Sequence, residues 1–232
     1  MSNLLALDTA TARASLAVVR NDDVVFASAV DASGRHGRHL LPALRAVLAL
    51  AGLRPGDLDG LAVGIGPGSY TGLRIGLTAA KALAYAVGCP LLALDSLEAI
   101  ARNAPAEALH VAVAADAQRG DLYAAEFARA GAGAPLVRVG PTRIEAAVDW
   151  VARLDPAAYL LGPAIGRLDL ADSIRRGGPD DAHPDPNRLA ELAREVWDSG
   201  RRDDLWTLEP AYLRKSAAEV QWLAAGHPEP PR

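Results

Sequence analysis

Cysteine is almost absent from this sequence: Cys89 stands alone among 232 residues. One thiol excludes an internal disulfide and a cysteine zinc site. An excess of basic charge is missing too, since 24 Lys and Arg face 28 Asp and Glu, for a net charge of −4 and a pI near 5.7. Nucleic-acid binders ordinarily carry a basic footprint, so this chain is not expected to supply most of the phosphate contacts to any RNA. Long apolar runs are lacking as well. The most hydrophobic span, Ile75 to Leu94, is interrupted by Lys81 and by Gly88-Cys89-Pro90, which predicts a buried amphipathic helix rather than a membrane span. The opening MSNLLALDTA has no basic leader and meets Asp8 after a very short apolar run, so no signal peptide is expected and the protein is read as soluble and cytoplasmic. No H-E-x-x-H occurs. His36 and His39 stand three apart in HGRHLLP with no carboxylate beside them, and the pair reads as two histidines near a helix start, not as a metal site.

What is present is a chain that is half hydrophobic and 22% charged, long enough to bury a real core in one large domain or two small ones. Its organising stretch is LAVGIGPGSYTGLRIGLTAAKALAYAVGCPLLAL, Leu61 to Leu94. An apolar run of strand length, Leu61 to Ile65, leads into Gly64, Gly66, Pro67, Gly68 and Gly72, and a helical, alanine-rich pattern follows from about Thr71 to Val87. Gly88 and Pro90 end it, and Leu91 to Leu94 is apolar again. The unit reads strand, glycine turn, helix, strand. Three glycine motifs fail on spacing. A dinucleotide fingerprint counted from Gly64 ends on Ser69; a P-loop has only Lys81, ten residues into the helix; a nucleophile elbow at Ser69 has Pro67 and Thr71 where glycines belong. Two readings stay open: helix N-terminal amides that hold an anion, or a tight turn that packs a helix onto a sheet.

GIGPGSYTGLRIG followed by AKALAYAVGCPLLALDSLEAI closely resembles the TsaB (YeaZ) family. That resemblance implies an α/β chain of the actin-like ATPase (ribonuclease H-like) fold, with two related lobes whose mixed sheets are flanked by helices. It also implies a role beside TsaD, the metal-bearing paralogue, in making the threonylcarbamoyl modification of the tRNA adenosine next to the anticodon. In this superfamily an Asp near the first turn lies by bound phosphate and Mg²⁺. Leu7 to Thr11, LDTAT, matches the family version and puts Asp8 there; a strand-end residue capping its own turn is the other reading of Asp8.

Taken in order, Leu4 to Leu7, Ala14 to Val19 and Val24 to Val30 predict a three-stranded antiparallel start. Leu40, Leu44, Val47, Leu48 and Ala51 recur at helical spacing up to Gly52, with Pro42 near the first turn or at a bend. His36, Leu40, Leu41 and Pro42 resemble a family signature in which Gly37 replaces a hydroxyl residue. At DSLEAI the catalytic paralogue carries a pair of metal-binding histidines; Ser96 and Ile100 stand at those positions, so no catalytic metal is expected. A boundary is expected across Asn103 to His110. A second hairpin, His110 to Ala115 and Leu122 to Phe127, echoes the first, and Asp116 to Tyr123 resembles a family run. Beyond it the pattern predicts short strands at Val137 to Val139 and Tyr159 to Leu161, a helix near Ile144 to Leu154, a loop from Gly177 to Pro186, and a helix from about Arg188 capped by Asn187. Glu209 to Arg214 resembles the family's closing Pro-x-Tyr-Leu-Arg segment. The expected division is a first lobe over residues 1–104, a smaller second lobe over 105–225 whose last helix can return to the first, and a disordered tail over 226–232.

The expected function is that of a non-catalytic subunit that binds a TsaD-like chain, works with a TsaE-like ATPase, meets tRNA only through the complex and pairs with itself when alone. The alternative is a stand-alone ATP·Mg-dependent phosphotransfer enzyme of the same superfamily. No catalytic or metal-binding residue is assigned and no firm cofactor. Asp8, Thr9, Gly66, Gly68 and Ser69 are the candidates for weak ATP or ADP binding. Gly72, Gly76, Ala80 and Ala84, recurring every four residues, line one side of the helix; they either let it sit tightly on its own sheet or, as the resemblance implies, form with Leu40, Leu44, Val47 and Leu48 the expected partner-binding patch.

Overall fold

Leu4-Leu5-Ala6-Leu7 is a continuous apolar run without a polar side, so that strand must be covered on both faces. The computed structural model, which describes residues 2–31, 36–214, 221–222 and 225–228, puts it at the centre of a sheet. β1 (Asn3–Asp8) is antiparallel to β2 (Arg13–Arg20), and β2 to β3 (Asp23–Asp31), which gives the three-stranded start expected. α1 (His36–Leu50) leads to β4 (Gly60–Gly64), parallel to β1; α2 (Tyr70–Val87) leads to β5 (Leu91–Leu94), parallel to β4. The order across the sheet is β3-β2-β1-β4-β5. Pro42 lies inside α1, six residues after its start, and is exposed, so the interruption falls on the solvent side of the helix.

α3 (Ser96–Ala101) joins this sheet to a second one. β6 (His110–Gln118) is antiparallel to β7 (Asp121–Ala128), which also pairs with β8 (Val137–Arg138) and β9 (Arg143–Ala146); after α4 (Ala147–Ala152), β10 (Tyr159–Leu161) runs parallel to β6. β1 stands to β2 and β4 as β6 stands to β7 and β10, so the two lobes are built on one repeated pattern. Two expectations change. The helix expected over Ile144–Leu154 is shorter. β8 covers only the far end of β7, and Arg143–Ala146 fill the open edge opposite Asp121–Ala124 as strand, leaving Ala147–Ala152 helical. The last helix, α5 (Pro186–Asp198), is capped by the Asp185 carboxylate, which accepts from the amides of Asn187 and Arg188; Asn187 is already inside. Pro186 takes the first helical position, where its missing N–H costs nothing.

α1 and α2 cover one face of the first sheet, packing Leu40, Leu44 and Ala80 against Leu7, Val18 and Val63. α5 covers the other, with Leu189, Leu192 and Ala193 on Ala6, Ala62 and Leu94. Gly60 leaves room there for the Trp197 ring, which a Cβ would strike. Part of the span assigned to the second lobe therefore lies on the first sheet. The segment after α5 also closes the β5 edge: the Asp203 carboxylate accepts from the Ala93 amide at 2.8 Å and the Arg201 guanidinium donates to the Ala93 carbonyl. Of the tail, Gly226, His227 and Pro228 are described, with His227 stacked on Trp222; residues 229–232 lie outside the described residues.

Candidate functional site

Asp8 closes β1, and its carboxylate is completely buried. Oδ1 accepts from the Ala10 amide at 2.7 Å and Oδ2 from the Ser96 hydroxyl at 2.6 Å. Ser96 Oγ accepts in turn from the Gly66 amide at 3.0 Å, and the Ser96 amide donates to the Gly66 carbonyl at 3.0 Å. The end of β1, the glycine turn and the first residue of α3 thus close into one ring of hydrogen bonds. Gly64 has to be glycine, because a Cβ there would occupy the space of the Asp8 carboxylate. Burial raises the Asp8 carboxyl to about 6, partly opposed by the bonds from Ser96 and Ala10. Nearby, Asp95 caps α3 by accepting from the Glu98 amide and pairs with Arg138 of β8 at 2.6 Å. Burial raises its carboxyl too, with Arg138 pulling it back.

Thr9 donates its hydroxyl to the Gly72 carbonyl at 2.8 Å. The positions that Cβ atoms on Gly72 and Gly76 would take are filled by the Thr9 carbonyl and hydroxyl, and the position on Gly68 by the Ala10 carbonyl. The Ser69 amide donates to Ala10 at 2.8 Å, while Ser69 Oγ accepts from the Gly72 amide at 3.2 Å and caps α2. Asp8, Thr9, Gly66, Gly68 and Ser69 are therefore brought together as the sequence suggests, but they interlock. Two of the amides an anion would need, those of Gly66 and Ser69, go to Ser96 and Ala10. The site does not fit a Mg²⁺–phosphate group at Asp8, since a buried, doubly bonded carboxylate has no face open to an ion.

The stripe of Gly72, Gly76, Ala80 and Ala84 is buried against β1 and the first sheet, and Leu40, Leu44, Val47 and Leu48 are buried beside it. This corrects the sequence reading of these eight residues as a surface. Helical periodicity marks a face without saying what it meets, and here the small residues let α2 settle onto Thr9. The solvent side of the pair is instead Leu41, Arg45 and Leu50 on α1 and Arg74, Ala82 and Tyr85 on α2. Gly37 of α1 faces Ile75 of α2, so the two outer faces adjoin. Ser96 and Ile100 are both buried, the first bonded to Asp8 and the second packed with Leu97 and Val113. His39 is exposed on α1, and the His36 side chain lies outside the described residues. Among the described residues no three His, Cys, Asp or Glu side chains group as metal ligands would.

Two runs noted in the sequence meet in space. Arg214 donates to the carbonyls of Ala117 at 2.9 Å and Gln118 at 3.2 Å and pairs with Asp121, gripping the β6–β7 turn. Three residues earlier the Ala211 amide donates to Ile65 at 2.8 Å, and the Tyr212 ring lies 5.3 Å from that of Tyr70. The closing segment thus straps the glycine turn to the second lobe. Sequence reasoning missed Ser96 as the partner of Asp8 and Arg138 as the partner of Asp95. Nothing local marks either pair. The outward cations of α1 and α2 carried a signal that went unused: neither helix contains an acidic residue.

The family model described as TsaD: tRNA N6-adenosine threonylcarbamoyltransferase matches residues 30–176. The tRNA threonylcarbamoyladenosine biosynthesis protein TsaB of Bacillus subtilis (strain 168) is 30% identical over 229 residues, covering 95% of this chain and 97% of the relative. TsaB of Escherichia coli (strain K12) is 37% identical over 128 residues, 54% of this chain and 55% of that one. Among solved structures, YeaZ from Pseudomonas aeruginosa superposes with a TM-score of 0.78 at 28% identity, over 92% of this chain and all of the other.

Proposed function

The chain belongs to the TsaB family, and from that premise we propose that it is the partner subunit of the assembly that adds threonylcarbamoyl to tRNA adenosine, bound to a TsaD-like catalytic chain. The observation that carries this is the end-to-end match to a protein named for threonylcarbamoyladenosine biosynthesis, 95% of this chain on 97% of the relative. The sealed aspartate supports a supporting role rather than a catalytic one. A stand-alone phosphotransfer enzyme would need Asp8 open to Mg·ATP, and that carboxylate is spent on Ser96 and Ala10. A TsaE-like ATPase is the third component of that assembly, and tRNA is held through the complex.

Docking on the catalytic chain uses the outer faces of α1 and α2, which adjoin each other and expose Leu41, Leu50 and Tyr85, each more than 60% accessible. A second copy of the chain would self-pair through the same face when no partner is present. The test is reconstitution. TsaD-like and TsaE-like chains of the same organism, unmodified tRNA, ATP and a threonylcarbamoyl donor system are combined with and without this protein, and modified adenosine is measured by mass spectrometry. Modification that depends on this chain is expected. Equal yield without it, or turnover by this chain alone, overturns the reading.

A further inference from the structure

α1 and α2 together carry four cations, Arg38, Arg45, Arg74 and Lys81, and no Asp or Glu. The chain as a whole has 24 cations against 28 acids. Without these two helices 20 cations remain against 28 acids, a charge of −8, so the positive charge of the helix pair is segregated from an acidic body. Arg38, Arg45 and Arg74 are exposed, at positions that recur with helical spacing alongside the exposed Leu41, Leu50, Ala82 and Tyr85. Among the described residues Arg38, Arg45 and Arg74 form no ion pair, while Lys81 lies near enough to Asp204 to help hold its carboxyl below the usual range. The ion pairs among the described residues fall on other elements. Arg74 leans on the Tyr70 ring and hydroxyl, and Lys81 donates to the Trp206 carbonyl.

We infer that this helix face selects a protein partner with an acidic docking surface, and that its charge favours that partner over a second copy of the chain. The inference rests on the proposed role of α1 and α2 as the docking face and adds the chemistry of what docks. A protein fits better than an RNA because the arginines stand among exposed leucines, alanines and a tyrosine. Such an apolar centre with an arginine rim suits a protein interface, whereas phosphate contacts need only charge. Two-fold self-pairing would set the same cations against each other, so the two associations should respond oppositely to salt, which screens attraction in one and repulsion in the other.

The experiment measures capture of the TsaD-like chain from the same organism, and self-association of this chain, at ~50 mM and ~500 mM salt. Four forms are compared: wild type, Arg45→Glu with Arg74→Glu, Arg188→Glu on α5 as a charge control, and Ala82→Trp as a steric block, each checked for folding by circular dichroism. At low salt the double reversal should weaken capture by about tenfold or more, with the loss shrinking at high salt, and the control should stay within about twofold. Wild-type self-association should strengthen as salt rises. If Ala82→Trp abolishes capture while the double reversal leaves it unchanged, the docking face stands and the acidic partner surface is wrong. If neither variant affects capture, the docking face itself is wrong. If the double reversal spares capture but removes tRNA binding by the isolated chain, an RNA is the occupant and the inference falls.

Discussion

Replacing Asp8 by Asn removes the charge of a wholly buried side chain and exchanges one acceptor oxygen for an amide donor, and the consequence can be worked through. The carboxyl is raised by burial from 3.8 to about 6, which corresponds to about 3 kcal/mol of differential interaction. The sign follows from proton counting. Between those two values the folded state holds a proton that the unfolded state has released, so stability falls as pH rises through the window. The penalty is complete above about pH 6 and absent below about pH 4. Asn cannot ionise, and its carbonyl still accepts from the Ala10 amide, but the Ser96 hydroxyl loses its acceptor, at about 1 kcal/mol. Asp8→Asn should therefore be the less stable protein near pH 4 by about 1 kcal/mol and the more stable one near pH 7.5 by about 2 kcal/mol. For a chain of this length the latter is a rise in Tm of roughly 4–8 °C. Urea unfolding of both proteins across the window gives the difference free of the other titrating groups. Parallel curves, with a constant offset from acid to neutral pH, would refute the account of Asp8 as a charge held at a cost.

Ser96→Ala leaves the Gly66 amide unpaired and Asp8 short of a donor, so it should lose about 2–4 kcal/mol in denaturant unfolding at neutral pH. Gly76→Ala improves helix propensity by about 1 kcal/mol yet drives a methyl into the Thr9 hydroxyl; a net loss of stability is expected, and a gain in Tm would show that α2 does not sit as tightly as described. Arg214→Ala releases the β6–β7 turn from the closing segment and should cost about 1–3 kcal/mol. Limited proteolysis should then cut within residues 203–214 faster than in wild type, and an unchanged pattern would argue against the strap.

The strand–turn–helix–strand unit at Leu61–Leu94 was readable because each of its signals is local: a short apolar run, clustered glycines, a Ser at the helix start and Gly88 at its end. The strand over Arg143–Ala146 was not, because what makes it a strand is the edge of β7 left open by β8, a feature of the sheet rather than of the segment. The glycine turn shows the same limit more sharply. Its composition announced a close approach, and the structure supplies the object approached, the Asp8-Thr9-Ala10 loop, where the sequence left an anion equally possible. The small stripe on α2 was visible as a period and assigned to the wrong side. A repeat of four residues fixes which side chains share a face, while the side that meets the sheet is settled by Thr9, more than sixty positions away. Ser96 was noticed only for what it replaces. Its hydrogen bond to Asp8 joins residues 88 apart.

The ring that seals Asp8 also bears on how such a protein changes over generations. A phosphate site at Asp8 would require freeing the carboxylate from Ser96, lifting the Ala10 loop off Gly68 and releasing the amides of Gly66 and Ser69, and each of these groups currently satisfies another. Removing Ser96 strands the Gly66 amide before it opens a site, so that first step toward nucleotide chemistry is a loss. The same interdependence frees the outer face of α1 and α2, where no side chain belongs to the ring. Change in this chain is thus channelled away from the buried Asp8 and toward the outer faces of α1 and α2.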